Sequence, residues 1–292
     1  MLDTRVPVSS KRLEPDSQAR LGRYLSASSG IEFSGQAKLF CFALILIQLF
    51  LVWAVKFEMP WLISFDTASA KAFNRFGHAH PQFVGQTYWL TAALLIKTLP
   101  SLMLVVWCWF SSNDRPDTDR LQLRIAVGLA ASFISIVVAM AVQELIGHRE
   151  RPFFQPGYTF TQFFGGAPQR DISSFPSDTC ALVFGLSTVV YLYSRRVGLF
   201  AFGWAVFAVA LPRLVTGIHF VSDVVFSALN GIVLVILASA VLPALVKAPM
   251  SYILERYRAL TYALTFGLLF EAGRMGGDLR PLVTGMLKAI VS

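Results

Sequence analysis

Apolar residues occur along this chain in runs long enough to cross a lipid bilayer, separated by shorter polar segments. A spanning helix needs about 20 apolar residues, because each residue adds about 1.5 Å along the helix axis. The pattern predicts an all-α polytopic membrane protein built as a helix bundle. About six spans are expected, over residues 39–55, 88–110, 125–146, 175–193, 198–217 and 220–245. The second is the least defined, since Lys97 and Pro100 interrupt it.

Composition and charge agree with this pattern. The 292 residues are 55% hydrophobic and 14% charged, whereas soluble domains carry about 25% charged residues. With an even number of spans and a cytoplasmic N-terminus, most of the 25 Lys and Arg residues fall on cytoplasmic segments, as the positive-inside rule requires. The net charge of +8 is then explained by this bias and by attraction to anionic membrane lipids. No nucleic-acid partner is expected.

The apolar runs and the charge distribution predict three segments. Residues 1–37 form a polar cytoplasmic segment without the features of a cleaved leader, residues 38–245 form the six-helix transmembrane domain, and residues 246–292 form a cytoplasmic tail. Apolar side chains at helical spacing predict an amphipathic helix in the tail, with a seventh span as the alternative. They are Ile253, Leu254, Tyr257, Leu260 and Leu264.

The loop over residues 56–87 is predicted to contain an amphipathic segment at the membrane interface. It either covers the helix ends or controls the access of a lipid substrate. Its apolar positions are Trp61, Ile63, Phe65, Ala68, Ala72, Phe73 and Phe76.

Other residues that could carry chemistry are interpreted more simply. His78 and His80 have no third ligand near them in sequence, so no metal site is predicted. Cys41, Cys108 and Cys180 lie in or near apolar spans without metal-ligand spacing, and are interpreted as small hydrophobic residues.

Ionisable side chains cluster between the fifth and sixth predicted spans. Arg213, His219 and Asp223 fall within eleven residues, and a charged side chain at membrane depth costs about 2.5–3.5 kcal/mol on insertion scales. Such a placement indicates function rather than accident. Because Asp223 follows His219 by four residues, we expect its carboxylate to accept the Nδ1 proton of the imidazole. Nε2 would then be free to act as a nucleophile or a base.

Two further segments are predicted to lie on the same non-cytoplasmic face of the membrane as Arg213, His219 and Asp223. Arg151-Pro152 lies in the loop over residues 147–173, and Ser177 lies near the start of the fourth span. There Ser173 or Ser174 is the expected N-cap and Pro176 suits the first turn, so free N–H groups would face an anion. The site would combine the guanidinium groups of Arg151 and Arg213, the hydroxyl of Ser177 and the imidazole of His219. This combination predicts phosphoryl transfer that needs neither a metal nor another cofactor.

These segments resemble the motifs of the type 2 phosphatidic-acid phosphatase superfamily of integral-membrane lipid phosphatases. That family reads Lys-x6-Arg-Pro, Pro-Ser-Gly-His and Ser-Arg-x5-His-x3-Asp. This chain reads Glu144-x6-Arg151-Pro152, Pro176-Ser177-Asp178-Thr179 and Pro212-Arg213-x5-His219-x3-Asp223, and the resemblance covers about residues 85–245. It implies that His219 accepts the phosphoryl group and Asp223 orients it. It also implies that Arg151, Ser177 and Arg213 bind the phosphate.

Two positions depart from the family. Glu144 replaces the lysine, and Thr179 replaces the second histidine, which by resemblance protonates the leaving group. Candidates for the missing charge or proton are His148, Arg149 and Asp178. Glu144 could instead pair with Arg149 or Arg151, and Thr179 could hydrogen-bond at the helix N-terminus.

The substrate class follows from the leaving group. An alcohol needs a proton from a general acid as it leaves, whereas a phosphate that leaves from a diphosphate needs one far less. Residues 176–178 also resemble the start of the Pro-Ser-Asp-His motif of bacitracin-resistance type undecaprenyl-diphosphate phosphatases. The sequence therefore predicts a phosphatase or phosphotransferase of phosphorylated lipids, with a preference for polyprenyl diphosphates. It would lie in a bacterial inner membrane, with cytoplasmic termini and a periplasmic site.

Two other classes of function are considered. The first is a lipid-phosphate binding or scaffold protein that kept the fold and lost turnover, which the two replaced residues permit. The second is a transporter, and the absence of recognisable repeats in matching halves counts against it. The oligomeric state does not follow from the sequence.

Overall fold

The computed structural model describes residues 35–113, 118–160, 173–256 and 258–273, and every regular element in these ranges is a helix. A 3₁₀ turn, Pro152–Phe154, follows the sixth α-helix, and a π-helical segment, Ala205–Ala210, joins the eighth to the ninth. The predicted all-α class is confirmed. In chain order the α-helices are α1 (Gly35–Lys56), α2 (Pro60–Ala79), α3 (Pro81–Ala92), α4 (Leu94–Lys97), α5 (Leu99–Ser111), α6 (Thr118–Ile146), α7 (Asp178–Tyr193), α8 (Arg195–Trp204), α9 (Leu211–Val215), α10 (Val221–Arg256) and α11 (Arg258–Gly273).

Four helical stretches in the described ranges are long and apolar enough to cross a membrane. They are Leu39–Lys56, Arg120–Ile146, Arg195–Val215 and Val221–Leu242. These correspond to the first, third, fifth and sixth predicted spans. Two further helices, Leu99–Ser111 and Asp178–Tyr193, are apolar but shorter, so length and composition support four of the six expected spans.

The predicted second span, residues 88–110, is not one helix. α3 ends at Ala92, α4 ends at Lys97, and α5 restarts with Thr98 in the N-cap position and Pro100 in its first turn. Proline has no N–H to donate and clashes with the carbonyl of the preceding turn, so a helix tolerates it only near its start. The helix breaks at Ala93 and again at Thr98, and the second break lies between Lys97 and Pro100, the two residues expected to interrupt this run. Pro100 lies in the first turn of α5.

The core of the bundle is formed by α6, α7 and α10, which pack against one another. They share one buried apolar cluster, and α8 with the π-helical segment covers α7 from the side. Cys41, Cys108 and Cys180 are all buried, as their interpretation as hydrophobic residues requires. Core side chains of the three helices are Ile125, Leu129, Leu182, Leu186, Val189 and Val235.

Helices α7 and α10 approach each other closely at Gly231. A Cβ atom on Gly231 would lie 2.1 Å from the carbonyl oxygen of Ala181 and 2.8 Å from the backbone nitrogen of Gly185. Glycine at such a contact allows two helix backbones to meet. Nearer the start of both helices, the N–H of Ser177 donates to the Ser227 hydroxyl at 2.8 Å. The N-terminal ends of α7 and α10 therefore lie side by side.

The same end of the bundle holds the C-terminal ends of α1 and α6. Lys56, the last residue of α1, donates to the carbonyl oxygens of Leu145 and Ile146 at 2.9 and 3.2 Å. A cation is favourable at the C-terminus of a helix, where carbonyl groups lack partners and the helix dipole is negative. The chain segments before α7 and α10 thus meet the segment after α6, and the candidate site is assembled there.

Helix α2 packs against α10 at this end of the bundle, and it is amphipathic as predicted. Its aromatic face is exposed through Trp61, Phe65 and Phe76. The opposite face is buried through Leu62, Asp66, Ala70 and Gly77.

The tail differs in detail from its prediction. α10 continues to Arg256, beyond the expected end at residue 245, and a second helix, α11, follows. Its exposed apolar side chains include Leu260, Phe266 and Phe270. Tyr257 and residues 274–292 of the tail, like residues 1–34 of the N-terminal segment, lie outside the described ranges.

Candidate active site

His219 lies in the turn between α9 and α10, with 7% of its surface exposed. Its Nδ1 atom is 2.6 Å from the carbonyl oxygen of Ser174. Because a carbonyl oxygen only accepts, Nδ1 carries the proton and Nε2 keeps its lone pair. The Oδ2 atom of Asp223 is 3.7 Å from Nδ1. The Ser174 carbonyl is therefore the nearer acceptor of the Nδ1 proton, and Asp223, expected in that place, lies at ion-pair distance from the imidazole.

Asp223 is fully buried and is the third residue of α10. Its Oδ2 accepts the backbone N–H of Phe220 at 2.7 Å and also accepts the Ser174 hydroxyl. A carboxylate that reaches back to the N–H just before its own helix is half of a capping box. Asp223 thus acts on His219 in two ways. Its charge acts directly across 3.7 Å, and it also holds the hydroxyl of Ser174, whose carbonyl binds the imidazole.

Arg149 joins Asp223 to a second buried carboxylate. Its Nη1 donates to Asp223 Oδ1 at 2.6 Å, and its Nη2 donates to Asp66 Oδ2 at 2.7 Å. The guanidinium carbon lies 4.5 Å from the ring centre of Phe220. Burial acts to lower the pKa of Arg149, but Asp223 and Asp66 outweigh it and raise that pKa. Arg149 therefore forms its ion pairs with Asp223 and Asp66 rather than with Glu144.

Sequence reasoning missed Asp66, which is 1% exposed and lies on α2. Its Oδ1 accepts the N–H of Ser222 at 3.1 Å, and its Oδ2 accepts the Ser222 hydroxyl at 2.5 Å. Burial raises the pKa of the Asp66 carboxyl, although Arg149 acts against this rise. A signal was present in the sequence, because Leu62, Asp66 and Ala70 recur every four residues on the helix face opposite the aromatic side chains.

Both arginines that the motifs single out are buried beside His219. Arg151 is 9% exposed and Arg213 is 4% exposed. Burial is the main cause that lowers the pKa of His219, and the charges of Arg151 and Arg213 lower it further, against the opposing effect of Asp223. The imidazole is therefore neutral at neutral pH. The Nη1 of Arg213 also donates to the carbonyl oxygen of Val209, in the π-helical segment, at 2.8 Å.

Ser177 is the N-cap of α7, which corrects two expectations. Ser173 and Ser174 lie further back, and Pro176 precedes the helix instead of entering its first turn. The N–H groups of Ser177 and Thr179 are already bonded, to Ser227 and to Asp178 Oδ1, so they do not face an anion. The hydroxyl of Ser177 is buried and makes no hydrogen bond to a nitrogen or oxygen atom in the described ranges.

The remaining candidates divide by exposure. Glu144 and His148 are exposed, in contrast to the buried residues around His219. Thr179 is buried, and its hydroxyl donates to Asp178 Oδ1 at 3.2 Å, so Asp178 and Thr179 do lie together. His78 contacts the Thr159 hydroxyl at 3.0 Å. Among the described residues, no three His, Cys, Asp or Glu side chains are grouped closely enough to hold a metal ion.

The fold and the site define an integral membrane protein with a buried histidine and two buried arginines at one end of a helix bundle. Residues 121–247 match the family model of the PAP2 superfamily. The chain is also 27% identical over 175 residues to the bacitracin transport permease protein BcrC of Bacillus licheniformis, over 58% of this chain and 78% of that protein. The match over residues 121–247 is to the superfamily that the three motifs resemble.

The chain is also similar to a solved structure. It is the crystal structure of the first transmembrane PAP2 type phosphatidylglycerolphosphate phosphatase from Bacillus subtilis. The two share 21% identity with a TM-score of 0.46, over 68% of this chain and 93% of that chain. Members of the PAP2 superfamily, whose model residues 121–247 match, are phosphatases.

Proposed function

We propose that this protein is a phosphatase or phosphotransferase that acts on a lipid phosphate or diphosphate through a phosphohistidine at Nε2 of His219, without a metal ion. One observation carries the proposal. The Ser174 carbonyl holds the proton on Nδ1, at 2.6 Å, which leaves Nε2 unprotonated. Arg151 and Arg213 are buried close enough to affect the imidazole. A neutral imidazole beside two guanidinium groups is suited to attack an anion that those groups bind.

The chemistry is an in-line displacement at phosphorus. The Nε2 lone pair forms a bond to phosphorus while the bond between phosphorus and the leaving oxygen breaks, and that oxygen keeps the electron pair. Arg151 and Arg213 stabilise the charge on the equatorial oxygens, and the Ser174 carbonyl stabilises the positive ring. Water then cleaves the phosphohistidine and releases inorganic phosphate, or a second phosphate accepts the phosphoryl group.

Ser177 is a further ligand for the phosphate in this proposal. Its hydroxyl is buried and has no nitrogen or oxygen partner in the described ranges, with only the Cys180 thiol as a weak polar neighbour. Buried hydroxyl groups nearly always have a partner, so an orphan beside the site fits a phosphate oxygen as the missing acceptor. Asp223 orients His219 through Ser174, in keeping with the hydrogen bonds described above.

The proposed substrate is a polyprenyl diphosphate. Thr179, which occupies the position of the family's second histidine, cannot protonate an alkoxide near neutral pH, whereas a leaving phosphate needs little help. Asp178, bonded to Thr179, is the candidate acid if a proton is required. The similarity to BcrC, whose name refers to bacitracin, agrees with the resemblance of residues 176–178 to the bacitracin-resistance enzymes.

We further propose that the site faces the periplasm of a bacterial inner membrane, with both termini in the cytoplasm. The distribution of Lys and Arg along the sequence supports this orientation.

Phosphate release from a lipid panel tests the proposal. Purified protein in detergent, with a chelator present, would be given a prenyl diphosphate, a prenyl monophosphate and phosphatidate. We expect fastest release from the diphosphate, and a loss of about 10³-fold or more in His219→Ala. His80→Ala is the matched control, because His80 is an exposed histidine outside the site. Unchanged turnover in His219→Ala would refute the mechanism.

A second candidate function is a lipid-phosphate binding protein without turnover. The replacement of two family residues by Glu144 and Thr179 favours it. In that case the protein would bind the phosphorylated lipids and release phosphate from none of them, and His219→Ala would weaken binding only.

A further inference from the structure

Asp66 is the buried acid that the proposed chemistry leaves without a role. It lies on α2, whose other face exposes Trp61, Phe65 and Phe76. A carboxylate that is 1% exposed is costly to bury unless it is paired and hydrogen-bonded. Asp66 meets both conditions, and its hydrogen bonds are with Arg149 and Ser222, which both contact Asp223 or adjoin it in sequence.

The first contact is with the N-terminus of α10. Asp66 Oδ1 accepts the N–H of Ser222, the second residue of that helix, at 3.1 Å. The first N–H groups of a helix have no partner within it, and the helix dipole favours an anion at this end. Asp66 therefore caps α10 from another helix, one residue away from Asp223.

The second contact is with Arg149. Asp66 and Asp223 each accept a hydrogen bond from a different nitrogen of its guanidinium, at 2.7 and 2.6 Å. The same Nη1 atom also donates to the Ser222 hydroxyl at 2.9 Å. The fork of the guanidinium reaches the two carboxylates with separate nitrogens, whereas lysine would have to reach both from a single nitrogen. Fixing Arg149 fixes the Oδ1 atom of Asp223.

We propose that Asp66 is a positioning residue, which holds Arg149 and the start of α10 so that Asp223, Ser174 and His219 keep their reactive arrangement. The chain of contacts runs from Asp66 through Arg149 to Asp223, then through the Ser174 hydroxyl, and from the Ser174 carbonyl to His219. Asp66 itself does not touch the phosphate. This inference rests on the proposed function, because it assigns a role toward the same nucleophile.

Asp66→Asn is the direct test, because it keeps the shape of the side chain and removes its charge. We expect kcat for the prenyl diphosphate to fall roughly 10- to 100-fold, the loss typical of a slightly misplaced catalytic group, with KM changed less than about threefold. Glu58→Gln is the matched control, since Glu58 is an exposed acid shortly before α2. It should retain wild-type kcat.

The pH profile separates positioning from a general loss of structure. The charged groups that act on His219 are Arg151, Arg213 and Asp223, and those that act on Asp66 are Arg149 and Asp223. In Asp66→Asn, the positive charge of Arg149 is no longer shared with Asp66 and acts on Asp223 only. The negative charge of Asp223 is then more fully neutralised, so Asp223 raises the pKa of His219 less. The acidic limb of kcat/KM should then move to lower pH. Partial unfolding would reduce the rate and leave the limb in place.

Arg149→Lys provides the second variant, in case Asp66→Asn does not fold. Lysine keeps the charge but cannot bridge both carboxylates from two nitrogens, so kcat should again fall at least about tenfold. Wild-type kcat in either folded variant, or a loss in Asp66→Asn with an unmoved acidic limb, overturns the inference. His219→Ala separates the two proposals, because its full activity would refute the proposed function whatever Asp66 does.

Discussion

The carbonyl oxygen of Ser174 lies 2.6 Å from Nδ1 of His219, closer than the Oδ2 atom of Asp223 at 3.7 Å. A backbone carbonyl cannot be protonated in the working pH range and stays an acceptor. It therefore fixes the imidazole tautomer whatever the state of the carboxylate. The carboxylate acts one step further away, by binding the Ser174 hydroxyl.

Ser174→Ala should consequently be a mild change. It removes the hydroxyl that Asp223 binds but keeps the carbonyl that binds Nδ1. A hydrogen bond to a charged group contributes about 1.5–3 kcal/mol, so we expect kcat to fall by roughly 10- to 100-fold and not by the full effect of His219→Ala. Steady-state kinetics on the prenyl diphosphate measure this. A loss as large as that of His219→Ala would contradict the carbonyl's role as the direct orienting group.

The pH dependence of kcat/KM reports on His219. In the proposed mechanism its neutral form is the nucleophile, and burial with the charges of Arg151 and Arg213 lowers its pKa below the ordinary 6.5. Activity should therefore persist as the pH falls through 6.5 and be lost only at lower pH, where the imidazole becomes protonated. Removal of one positive charge in Arg151→Gln should move the acidic limb upward. A wild-type limb at or above pH 6.5 would disagree with this environment.

Thr179→His tests the leaving-group argument. A histidine there could protonate an alkoxide, so release of phosphate from a lipid monophosphate should rise several-fold, while release from the diphosphate should change little. Thr179→Asn is the matched control, because asparagine is polar but not acidic. If both substrates respond equally, another residue, such as Asp178, already donates the proton.

Gly231→Ala tests the packing that brings α7 and α10 together. A Cβ atom there would lie 2.1 Å from the Ala181 carbonyl oxygen, and both atoms belong to rigid helices. Such overpacking costs about 1–3 kcal/mol, so thermal unfolding in detergent should shift down by several degrees. Gly203→Ala is the control, because a Cβ atom at Gly203 meets nothing within 4 Å. Equal transition temperatures for the two variants would argue against the close contact.

Helix periodicity and local motifs made much of the molecule predictable. The apolar runs over residues 125–146 and 220–245 predict helices, because backbone N–H and C=O groups in a bilayer or a buried core must be hydrogen-bonded within the protein. The same reasoning is weaker at the second span, because Lys97 and Pro100 interrupt the apolar run and a new helix begins beside Pro100.

The sequence alone determined the all-α class. It also determined the resemblance to the PAP2 superfamily, through the spacing of Arg151, Ser177, Arg213, His219 and Asp223. These are local properties, carried by residue type and distance along the chain. Only the tertiary structure decided which group holds Nδ1 and what Arg149 binds. The Ser174 carbonyl is a backbone atom 45 residues away from His219, and Asp66 is 83 residues away from Arg149. No periodicity links such positions, because helix packing alone brings them within hydrogen-bond distance.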